Sequence, residues 1–72
     1  MKRYTVHSKD KVVRKITGWV ADFGENSGVE GIVKNGIHDI KYNVNNVSFI
    51  GKSAKHLANF FKDTYSFKIT VK

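Results

Sequence analysis

The stretch Gly18 to Ile40, GWVADFGENSGVEGIVKNGIHDI, constrains the chain most, because two turn signals divide it into short extended runs. Up to Phe23 its residues alternate, with Ile16, Gly18 and Val20 on one face and Trp19, Ala21 and Phe23 on the other. The segment GENSG breaks this run, and Val29 to Val33 resumes it. Asn35-Gly36 comes next, a strong hairpin signal, since both residues tolerate the positive φ angles of a type I′ turn. Ile37 to Asn43 is the return strand. The pattern predicts a three-stranded meander at the centre of the fold.

The flanking residues extend this reading. Arg3 to His7 alternates as a short strand, with Tyr4 and Val6 on one side, and Ser8 to Lys11 forms a polar turn. Lys11 to Phe23 is long for one strand, so a bend or bulge is expected near Gly18. The asparagines in Val44 to Val47 mark a turn or bulge, after which Val47 to Ile50 resumes as strand. Ser53 to Asp63 is the one helical stretch. Ser53 is placed to cap it, and Ala54, Leu57, Ala58 and Phe61 share a face, with Phe60 beside them. Tyr65 to Lys72 ends the chain as an alternating strand with Phe67, Ile69 and Val71 inward. The expected fold is mainly β: a small five-stranded antiparallel barrel of the OB kind, or an SH3-like relative, with one helix before the last strand.

Seventy-two residues make a single domain, 1–72. A chain of this length buries roughly 60–65% of the surface its unfolded form exposes, so its core must be economical. There is no cysteine, and no apolar run approaches the roughly 20 residues of a membrane span. The start, MKRYTVHSKDK, is basic but lacks the apolar segment of a signal peptide, so the cytoplasm is the expected location. The formal net charge is +7, which favours polyanions or an acidic protein as partners. Most cations lie towards the two ends, whereas Gly24 to Asp39 is slightly acidic.

Four segments together resemble a known family: Gly18-Trp19-Val20-Ala21-Asp22-Phe23, Gly28-Val29-Glu30-Gly31-Ile32, Asp39-Ile40 and Ser66-Phe67-Lys68-Ile69. This frame is similar to that of the cold-shock domain, an OB-fold family with strands of the types G-x-V-K-W-F, K-G-F-G-F-I, D-V-F-V-H-F and V-S-F-E-I. The resemblance implies a barrel whose sheet face stacks aromatic rings on single-stranded bases. The matches fall mostly on glycines and core positions. The family's aromatic and histidine positions are occupied here by Asp22, Val29, Gly31, Lys41, Asn43 and Val44, and Phe23 alone is kept. The chain also ends at the strand resembling the family's fourth and begins with an additional basic strand. Arg3 to His7 is therefore expected to take the place of the missing last strand, and the helix that of a long loop.

No catalytic constellation stands out, so a non-enzymatic role is expected. His7, His38 and His56 lack metal-ligand spacing, and GENSGVEG lacks the Lys-Ser/Thr of a phosphate loop. No metal or cofactor is expected. Two functions remain open. The first is binding of single-stranded RNA or DNA with weak sequence preference, using Phe23, Lys41, Asn43, Arg3, Lys11 and Lys15. The second is a protein-interaction module, an adaptor or inhibitor docking on an acidic partner through Trp19 and Phe60. An exposed edge strand makes a homodimer as admissible as a monomer. Basic residues gathered around Phe23 would favour the first reading, and an exposed Trp19/Phe60 patch the second.

Overall fold

A computed structural model describes all residues, Met1–Lys72. The elements in chain order are β1 (Tyr4–His7), α1 (Lys11–Phe23), a 3-10 turn (Gly24–Ser27), β2 (His38–Tyr42), β3 (Asn46–Ile50), α2 (Ala54–Tyr65) and β4 (Lys68–Val71). The four strands form one open sheet in the order β2-β3-β1-β4, antiparallel throughout. This is a mixed α/β architecture with the split βαβ topology of ferredoxin-like folds. It corrects the expected five-stranded OB/cold-shock-like barrel with one helix. The sheet does not close, it has four strands, and there are two helices.

The largest correction is α1. Residues 11–23, expected as a long bent strand, form a thirteen-residue helix. Asp10 caps it, its carboxylate accepting from the Val12 amide at 2.9 Å. Val13, Thr17 and Val20 are buried, at the i, i+4, i+7 spacing of a helix face. The helix stops at Gly24, whose φ of +56° suits glycine. A side chain there would strike the backbone of Lys34, 2.5 Å from its Cα.

The expected central meander is absent. Val29 to Ile37 is an irregular loop, yet Val29, Ile32 and Ile37 are buried in the core. Asn35 does adopt a left-handed φ of +59°, but no hairpin is built on it. The Gly36 amide donates to the Val33 carbonyl at 2.9 Å, and the Gly36 carbonyl accepts from the Ser53 amide at 2.8 Å. The loop is thereby fastened to the start of α2. Ser53 precedes α2 as expected, but its Oγ accepts from the Val33 amide at 3.2 Å and does not cap the helix.

The remaining elements lie near their expected places, although Tyr65, expected in the last strand, ends α2, and Asn46, expected in a turn, begins β3. β1 lies inside the sheet, paired on one side with β3 and on the other with β4. It fills no gap in a barrel. Register places Tyr4, Val6, Val47, Phe49, Ile69 and Val71 on one face. There Val6, Val47 and Phe49 join Val13 and Val20 of α1 and Leu57, Ala58 and Phe61 of α2 in a single core. Both helices therefore cover the same face and leave the other open. No helix is long and apolar enough to cross a membrane.

Candidate functional site

The helical side carries an apolar groove. Val12, Ile16, Trp19 and Phe23 recur at i, i+4, i+7 and i+11 and form a stripe along α1, adjoining its buried face. Val12 and Ile16 are half-buried, whereas Trp19 is 55% and Phe23 50% exposed. The two rings lie 5.0 Å apart, centroid to centroid, inclined at 48°. Beside the stripe is a cavity of about 280 Å³, lined by Ile16, Trp19, Val20, Val29 and Phe60 among others. Lys15 is the only charged residue on its wall. Phe60, half-buried, is braced from behind by Phe61 and Tyr65 at centroid distances of 5.8 and 5.9 Å.

The open face of the sheet is the opposite in character. Three cross-strand rows run over it. Lys41, Ser48, Thr5 and Thr70 form one row by direct pairing. Asn43, Asn46, His7 and Lys68 form a second, Asn43 being joined by its amide to the Asn46 carbonyl at 2.9 Å. In the third, Arg3 and Lys72 exchange backbone hydrogen bonds of 2.7 and 3.0 Å. Ile50 and His38 continue this row towards β2. Arg3 is held on this face by the Asp39 carboxylate and by Ser48 Oγ at 3.0 Å. That ion pair is the only one in the molecule.

The structure thus divides the residues expected to bind nucleic acid. Arg3, Lys41 and Asn43 share the open sheet face. Phe23, Lys11 and Lys15 belong to α1, on the covered side. The retained aromatic is therefore separated from half of its expected cationic partners by the thickness of the sheet. Trp19 and Phe60, 41 positions apart in sequence, line one groove. Ile16 and Val12 complete the apolar stripe, and their spacing relative to Trp19 and Phe23 was the signal for it in the sequence. No cluster of three or more His, Asp or Glu side chains converges on a point. Compared with protein-family models, curated proteins and solved structures, the chain matches none. Of the segments that resemble the cold-shock frame, Gly18 to Phe23 is helical and Gly28 to Ile32 lies in the turn and loop after it.

Proposed function

We propose that the chain is a non-catalytic protein-interaction module whose helical side receives an acidic amphipathic helix of a partner protein. The observation that carries this reading is the continuous apolar surface that exposed Trp19 and Phe23 form with half-buried Ile16 and Phe60. Isolated exposed apolar residues are ordinary, whereas a contiguous patch with polar surroundings marks an interaction site. The helical spacing of the stripe suits a second helix laid along it, with one large side chain in the cavity. Lys15 on the cavity wall and Lys11 one turn before it favour carboxylates on the partner's flank. The absence of cysteine accords with a cytoplasmic setting. Single-strand binding by stacking draws less support, because Arg3, Lys41 and Asn43 lie on the sheet face away from Phe23.

Trp19 is the only tryptophan, so its emission reports directly on the groove. Titration with a peptide of leucines and glutamates, its leucines on one helical face, is expected to blue-shift that emission with micromolar affinity. Phe23→Ser should weaken binding at least tenfold. As a half-exposed site it should change stability by only about 0.5 kcal/mol. Phe61→Ala, by contrast, should cost about 3–5 kcal/mol, because it empties the core. Equal binding of a peptide with the same leucines scattered around the helix would overturn the proposal. So would a concentration-dependent dimer, seen by sedimentation and lost in Phe23→Ser, since the groove would then be closed by a second copy.

A further inference from the structure

The open sheet face has no part in the groove, and its composition is unlike that of a protein interface. Such interfaces are depleted of charge at their centre and enriched in aromatic residues. Here the three rows carry hydroxyls, amides, imidazoles and cations, and Ile50 is the only aliphatic side chain. The acidic residues are segregated from it. Asp10, Asp22, Glu25, Glu30 and Asp63 belong to the helices and the loops on the other side, and Asp39 is taken up by Arg3. The unpaired cations sit at the two margins, Lys41 on β2 and Lys68 and Lys72 at β4. With strands about 4.8 Å apart, these margins lie roughly 14 Å from one another. The middle, Ser48, Thr5 and Thr70, is neutral: Ser48 is buried and accepts from Arg3, Thr70 Oγ1 is bonded to His7 Nε2 at 2.6 Å, and the Thr5 hydroxyl has no partner among these side chains.

We infer that this face binds the phosphate backbone of duplex nucleic acid without reading its sequence. Two lysine margins roughly 14 Å apart match phosphates on either side of a groove about 12 Å wide. Phosphate contacts from lysine, hydroxyl and amide groups position a duplex and carry no base information. A single strand is the poorer ligand, because its bases would seek rings to stack on and the face has no aromatic ring besides imidazole. Lysines on edge strands also deter strand addition between molecules. That role alone would give no preference for a duplex.

The test is fluorescence anisotropy with labelled duplex DNA, duplex RNA and single-stranded DNA over a salt series. With three or four phosphates neutralised, log affinity should fall against log salt with a slope of roughly −3. The variant Lys41→Gln/Lys68→Gln/Lys72→Gln should lose at least tenfold in duplex affinity at low salt and most of the slope. The variant Lys34→Gln/Lys55→Gln/Lys62→Gln removes the same charge from the loop and α2, and should stay within about threefold of the wild type. As a check independent of the variants, backbone amide shifts of the wild type on adding duplex should gather in β1 to β4. Equal losses in both triple variants, tighter binding of the single strand, displacement by polyglutamate at equal charge, or shifts confined to α1 and α2 would each overturn the inference.

Discussion

Thr17 is the one residue whose polar atom has no account in the fold. It is fully buried on α1, and its Oγ1 has no hydrogen-bond partner. A threonine within a helix can return its hydroxyl to the carbonyl one turn back, but no such bond is present. A buried unsatisfied hydroxyl costs about 1–3 kcal/mol. Valine has the same branched shape without the polar atom, so Thr17→Val is expected to raise stability by about 1 kcal/mol. In a domain of this size that corresponds to roughly 4–8 °C in the thermal midpoint. A lower midpoint would show that the hydroxyl is bonded in solution.

At the scale of elements, α1 separates the fold that forms from the barrel that the alternation predicted. Val12, Val13, Ile16, Thr17 and Val20 are β-branched, and with Gly18 among them the run reads locally as a bent strand. The opposing signals were present: Asp10 before the run, Gly24 after it, and Val13, Thr17 and Val20 at helical spacing. The core decides between them, because only a helix turns those three side chains to one side, where Val13 and Val20 join the cluster that holds Phe49 and Leu57. Strands β1 to β4 and helix α2 were legible because their periods were unmixed and their lengths ordinary. The Asn35-Gly36 signal misled because a local turn does not fix the path of the chain beyond it. Ile37 is buried in the common core and does not pair with Val33. For the same reason Trp19 and Phe60 were legible singly and their common groove was not, since it depends on α1 lying beside α2. Gly18 tests the helix directly. A Cβ there meets nothing within 4 Å, and alanine is favoured over glycine in a helix interior by about 0.8–1.0 kcal/mol. Gly18→Ala should therefore stabilise the protein by nearly that amount in urea titration. A bend or bulge at Gly18 would require the opposite sign.

At the scale of the whole molecule, the sheet is a partition with an apolar groove behind it and a cationic face in front. The molecule measures 26 × 24 × 20 Å, and the two surfaces have no residue in common. If both proposals hold, an acidic helical peptide and a duplex occupy it together, and their coupling is electrostatic alone. At 0.15 M salt the screening length is about 8 Å, well short of the molecule's thickness. Saturating the groove with the leucine–glutamate peptide should then leave duplex affinity unchanged within about twofold. At 0.01 M salt the screening length is about 30 Å and exceeds every dimension of the protein. The bound peptide then subtracts from the positive potential that the duplex meets, so duplex affinity should fall, and peptide affinity should fall by the same factor when duplex is added first. Competition that persists at 0.15 M salt would mean that the two ligands meet on one surface, and the division of the molecule into two binding sides would have to be given up.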